Sequence, residues 1–282
     1  RVKNSLAYLG SSRPWIDPKT MSPMKPFSFE ARDGETIYGF LTVPIDSDGK
    51  DLPLILNPHG GPFGVQDVWR FNPETQFFAN QGYAVMQVNF RGSGGYGKRY
   101  ERIGYKRWGL EMQDDLTDAV QWAVSEGIVD PDHVCIYGAS YGGYATMAGI
   151  TLTPELYSCA VNYVGIWDLE MLFRQDGRFD TRLARWFRNH VIDVDKDEAQ
   201  LKKTNPRYHI DKIQAPLFIV HGRRDYNVRV EQAETLMDAL DERDIPYEVM
   251  IKREEGHGFT LYENNVELYT KMKAFFKEHL AK

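Results

Sequence analysis

Cysteine is nearly absent from this 282-residue chain, which holds only Cys135 and Cys159. Two thiols are too few for a disulfide framework, and both lie in apolar runs where a reduced cysteine behaves as a small hydrophobe. That reading tilts the expected compartment towards the cytoplasm. Basic charge is not in excess either: 34 lysines and arginines face 40 aspartates and glutamates, for a net charge of −6. A surface of that sign offers no platform for nucleic acid or an anionic membrane, so neither is an expected partner. No stretch nears the roughly 18 uninterrupted apolar residues of a membrane span, and the first residues lack the charged-then-apolar profile of a signal peptide. Internal repeats and low-complexity tracts are also missing. Histidines and carboxylates are scattered rather than grouped at ligand spacing, so no metal or other cofactor is expected.

What remains is the composition of a globular protein with a sizeable core, 42% apolar and 26% charged. The stretch 1–26 carries Pro14, Pro18, Pro23 and Pro26 with little periodicity and reads as an extended arm. Residues 27–31 and 36–43, joined by Asp33-Gly34, read as a β-hairpin. Short apolar runs follow at 52–56, 84–90, 133–137, 159–164, 217–221 and 247–251. Amphipathic helical patterns alternate with several of them, at 114–126, around Val230 to Leu240, and from Val266 to Leu280. Strands alternating with helices predict an α/β fold: one domain over 1–282 with a mostly parallel sheet covered on both faces. Residues 167–212 are charged and aromatic without a clear strand, and read as an excursion or partial cap near the strand ends.

The sharpest local feature is Gly138-Ala-Ser140-Tyr-Gly142, with an apolar strand before it and a small-residue helix after it. A nucleophile elbow needs small neighbours because the backbone reverses there in a strained conformation that lifts the hydroxyl above the sheet. A serine hydroxyl is a weak nucleophile at neutral pH, so it needs a histidine to take its proton and an acid to orient that histidine. Asp225 follows the strand at 217–221, and His257 sits between glycines after the strand at 247–251. Serine, acid and histidine therefore occur in the α/β-hydrolase chain order, each just past a core strand, where they can converge on the carboxyl edge of one sheet.

Acyl transfer also needs donors for the charge that builds on the carbonyl oxygen. The amide of Tyr141 is one candidate, and Gly61, in His59-Gly-Gly-Pro62 after the strand at 52–56, is the other. Gly92-Ser-Gly94-Gly-Tyr-Gly97 matches a dinucleotide fingerprint literally. The segment after it, Lys98 to Arg107, is charged, bulky and broken by Gly104, whereas a nucleotide site wants a small-residue helix at once, so the match is set aside.

With these residues goes a wider set: Phe29-Glu-Ala-Arg-Asp33-Gly34, Asn89-Phe-Arg-Gly92, Trp108-Gly109, Gly143-Tyr144, His221-Gly222 and Glu255-Gly-His-Gly-Phe259. Together they make nearly the whole chain resemble the catalytic domain of the prolyl oligopeptidase family of serine peptidases, in its acylaminoacyl-peptidase and dipeptidyl-peptidase branches. The resemblance implies an α/β-hydrolase fold, Ser140 as nucleophile, Asp225 as orienting acid and His257 as base. It also implies a substrate pocket at Asn227 and Val228, with Trp167 near a further pocket aromatic. One departure is His59, which stands where other branches carry a tyrosine that serves the oxyanion. Family members commonly carry a β-propeller ahead of this domain, and this chain has no room for one. The expected activity is hydrolysis of small peptides; a carboxylesterase acting on small esters is the first alternative and a catalytically silent binding module the remote one. Assembly into a homo-oligomer stays open.

Overall fold

In the computed structural model, which describes residues 10, 13–174 and 182–280, eight strands form one sheet. They are β1 (Met24–Glu30), β2 (Thr36–Thr42), β3 (Leu52–Leu56), β4 (Ala84–Asn89), β5 (Val129–Ala139), β6 (Cys159–Tyr163), β7 (Leu217–Gly222) and β8 (Tyr247–Lys252). Their spatial order is β1-β2-β4-β3-β5-β6-β7-β8. The two leading strands form the expected hairpin and pair antiparallel, and every pairing from β4 to β8 is parallel. Strand β1 begins three residues earlier than predicted and runs through Pro26, which an edge strand tolerates because one side of its backbone needs no partner.

Nine helices are described: α1 (Pro73–Ala79), α2 (Lys98–Arg102), α3 (Glu111–Ser125), α4 (Tyr141–Leu152), α5 (Leu169–Arg174), α6 (Arg182–His190), α7 (Glu198–Thr204), α8 (Glu231–Asp241) and α9 (Tyr262–Leu280). The central strands are buried on both faces, and alternate residues serve two different cores. Leu54, Met86, Val134, Ile136 and Ile219 face the core that α3, α4 and α8 complete. Ile55, Val85, Tyr137, Val161 and Phe218 face the other, closed by α1 and α9 through Phe78, Phe275 and Phe276. This arrangement fixes the register and leaves the loops at the carboxyl ends of the strands free to carry chemistry.

The same alternation corrects the reading of the cysteines. Cys135 and Cys159 are direct register partners on β5 and β6, face the same core, and form a disulfide with 4.6 Å between their Cα atoms. The compartment preference drawn from reduced thiols loses its footing. Of the expected N-terminal arm, residues 1–9, 11 and 12 lie outside the described residues. Its remainder has a 3-10 turn at Pro18–Thr20 and is tied to α1 where Ser22 and the Gln76 amide exchange two hydrogen bonds of 2.9 and 2.8 Å. The excursion at 167–212 holds α5, α6, α7 and a 3-10 turn at Pro206–Lys212, with 175–181 outside the described residues. Among the described residues no helix is long and apolar enough to cross a membrane.

Candidate active site

Ser140 stands between β5 and α4 with φ 59° and ψ −118°, a left-handed conformation that a side chain adopts only when its surroundings enforce it. Glycines on either side make the turn sterically feasible. A Cβ at Gly138 would overlap the backbone of Gly142, and one at Gly142 would overlap the Pro58 carbonyl. The Ser140 amide donates to the Tyr163 carbonyl at 3.1 Å, which fastens the turn to β6. The Tyr141 amide heads α4, where the helix offers it no acceptor.

Asp225 lies in the loop after β7, with its side chain fully enclosed. One carboxylate oxygen accepts from the amides of Asn227 and Val228 at 2.8 and 2.9 Å; the other accepts from His257 Nδ1 at 2.7 Å. Because Nδ1 donates to a carboxylate, Nε2 of His257 is left as the basic nitrogen. A second imidazole, His221, approaches the same carboxylate oxygen at 3.5 Å, but its Nε2 donates to the Val228 carbonyl at 2.8 Å. Burial holds His221 below the ordinary imidazole pKa, so it stays neutral and leaves the carboxylate to His257.

The turn that carries His257 is secured by Glu255 and Tyr163. The buried Glu255 carboxylate accepts from the Thr260 amide at 2.8 Å, the Leu261 amide at 3.0 Å and the Asn264 side chain at 2.7 Å. Burial opposes its charge, but these donors outweigh it and keep the carboxyl below its usual range. The Phe259 amide donates to the Tyr163 hydroxyl.

Ser140, Tyr141, Gly61 and His257 all line one cavity of about 300 Å³. All four of these were expected there, and two more expected residues, Asn227 and Val228, border the cavity too. Asp225 stands behind His257. Trp167 does not reach the cavity. Its indole N–H donates to Thr235 Oγ1 at 3.0 Å and its ring borders a separate polar cleft against α8. The residue before it, Ile166, faces the cavity instead, because the chain turns sharply at Val164 with φ 44°. Further apolar lining includes Trp108, Phe173 and Phe187. The aromatic texture of 167–212 is the signal for Phe173 and Phe187, and Trp108 is among the residues that carry the family resemblance.

This constellation, with the eight-stranded sheet beneath it, can be set against known proteins. Residues 69–282 match the prolyl oligopeptidase family. The chain belongs to that family. Among its prolyl oligopeptidase relatives, it is 37% identical over 276 residues to dipeptidyl aminopeptidase BIII of Pseudoxanthomonas mexicana and 32% identical over 301 residues to dipeptidyl peptidase family member 6 of Caenorhabditis elegans. The alignments cover 94% and 96% of this chain, and 40% of each relative. A solved puromycin-hydrolyzing peptidase of Mycobacterium tuberculosis superposes with a TM-score of 0.87 at 26% identity, over 94% of this chain and 40% of that one. The chain thus spans about 40% of the length of the relatives it matches.

Among the described residues, Glu248, Glu278 and His279 bring ligand-type atoms within 4.8 Å of one another. They belong to β8 and α9 and take no part in the cavity.

Proposed function

We propose that this domain hydrolyses acyl bonds in peptides, of the acylaminoacyl or dipeptidyl type, through a covalent acyl-enzyme on Ser140. The observation that carries the reading is the 2.7 Å His257–Asp225 bond beside a cavity shared with a serine held at φ 59°. Ser140 Oγ attacks the substrate carbonyl while His257 Nε2 takes the hydroxyl proton. Asp225, fixed by two backbone amides, keeps the imidazole in the tautomer that leaves Nε2 free. The amides of Tyr141 and Gly61 receive the negative charge of the tetrahedral intermediate. As that intermediate collapses the leaving amine takes the proton from His257, and water attacks the remaining ester by the same route. Trp108, Ile166 and Val228 suit an apolar side chain on the acyl part of the substrate. The family and the peptidases among its relatives favour peptides over simple esters.

Ser140→Ala is expected to abolish release of naphthylamine from aminoacyl-naphthylamides and labelling by a fluorophosphonate, with the melting temperature unchanged. Turnover that survives this substitution would discard the mechanism, and turnover of short acyl esters alone would move the assignment to an esterase.

A further inference from the structure

Away from the candidate active site, one carboxylate sits in apolar surroundings with no part in the proposed chemistry. Glu74 belongs to the first turn of α1 and borders a groove of about 920 Å³ between α1 and α9. The groove shares no lining residue with the cavity of Ser140. Phe77 lines it from α1, while Tyr262, Val266 and Ala274 line it from one face of α9. Tyr262 and Val266 stay exposed, and apolar surface gathered in a concave patch marks a binding site rather than ordinary surface. Tyr137 and Tyr269 donate their hydroxyls to Glu74 at 2.7 and 2.9 Å, both to the same oxygen, Oε1. Among the described residues no donor reaches Oε2. Enclosure among apolar side chains lifts the Glu74 carboxyl above its usual range, and the two hydroxyls offset only part of that cost.

A carboxylate short of donors beside aromatic rings is the recognition chemistry of an ammonium group. Oε2 is free to accept a charged hydrogen bond, and the rings of Phe77 and Tyr269, with centroids 5.4 Å apart, add π-electron density next to it. Farther along α9, Lys273 and Lys277 border the same groove; both are exposed, and among the described residues neither has an ion-pair partner. They follow Tyr269, which holds Glu74, by about one and two helical turns, or about 6 and 12 Å along the axis. An extended peptide of two or three residues reaches roughly 7–11 Å. Its two termini therefore match the separation of the acid from the lysines, with apolar surface between them to cover its side chains. We propose that the groove between α1 and α9 binds a free di- or tripeptide with apolar side chains, its ammonium on Glu74 and its carboxylate on Lys273 and Lys277. A simple apolar amine would meet the lysines with no anion to offer, and a peptide blocked at both ends would satisfy neither pole. The inference goes beyond the acyl-enzyme reading and does not depend on it.

The test is isothermal titration of the full chain carrying Ser140→Ala, so that the probe is not consumed, with the dipeptide Phe-Leu. This parent should bind with a Kd of about 0.1–1 mM. Adding Glu74→Gln keeps an acceptor for both tyrosines and removes the charge; affinity should fall about tenfold or more. N-acetyl-Phe-Leu should bind the parent equally weakly, and acetylation should cost the Glu74→Gln protein almost nothing further, because both changes remove one contact. Amidation of the carboxyl end should weaken binding to the parent roughly threefold and have no effect when Lys273→Met and Lys277→Met are combined. Val266→Trp, on the exposed face of α9, fills the groove and should abolish binding. An acetylation penalty as large in Glu74→Gln as in the parent would overturn the inference, because the ammonium would then be held elsewhere. If Glu74→Gln does not fold, undiminished affinity in Val266→Trp overturns it. So does a parent that shows no binding at peptide concentrations tenfold above the expected Kd, or sedimentation showing that a second copy of the chain covers the groove.

Discussion

At the scale of single residues, buried carboxylates differ chiefly in how many donors reach them. Asp225 accepts three strong hydrogen bonds, two from amides and one from His257. Asp67, in the loop between the Gly61 turn and α1, accepts one at 2.6 Å from the Gln87 amide, and its second oxygen is buried without a partner. Burial therefore pushes the Asp67 carboxyl up to about 7 from 3.8. A raised acid destabilises the fold wherever it must be charged: the penalty is complete above pH 7 and fades as the pH falls towards 4. Asp67→Asn keeps the acceptor for Gln87 and removes the charge. Its melting temperature should exceed that of the wild type by roughly 3–6 °C at pH 8 and match it near pH 4, as differential scanning calorimetry across that range would show. An equal gain at both pH values would mean that charge is not the cause.

At the scale of elements, the crossing of β3, β5 and α4 is where the site is most tightly specified. Gly142 sits under the Pro58 carbonyl at the end of β3, so Gly142→Ala sets a methyl group against backbone atoms that cannot rotate aside. The Ser140 turn and the loop of His59 would have to separate. Overpacking of this kind typically costs about 1–3 kcal/mol, and urea denaturation should report a loss in that range. Activity should fall more than tenfold, because the proposed nucleophile and the proposed Gly61 oxyanion donor ride on the two elements being pushed apart. The glycines here were legible in the sequence, as were all six apolar runs, because buried parallel strands are continuous hydrophobic stretches and strained turns need small residues. What was not legible depends on contacts between distant segments. The displacement of Trp167 by Ile166 hinges on a single backbone reversal at Val164. The pairing of Cys135 with Cys159 depends on the β5–β6 register, which no local pattern encodes. Helices α5, α6 and α7 are each under ten residues long, too short for their patterns to show the broad apolar face by which α3 and α8 were found.

At the scale of the whole molecule, the disulfide joins two strands at the centre of the sheet across 24 residues of chain. Closing a loop of that length restricts the unfolded ensemble by roughly 3 kcal/mol in the chain-entropy account. Denaturation in urea without reductant should leave both thiols unlabelled by iodoacetamide, and reductant should shift the unfolding midpoint to lower urea by a corresponding amount. Labelling of both cysteines without reductant would show them free. Sheet, helices and candidate site all belong to the part that this chain shares with relatives more than twice its length.

The clasp formed by Glu255 ties α9 to the turn that carries His257. Its four donors come from Thr260, Leu261 and Asn264, the residues through which the chain enters α9. The imidazole two positions after Glu255 therefore takes its bearing from the entrance of α9, far along the chain from the Ser140 turn. On the proposed mechanism, the serine of the elbow gains its base only once the entrance of α9 has docked on Glu255.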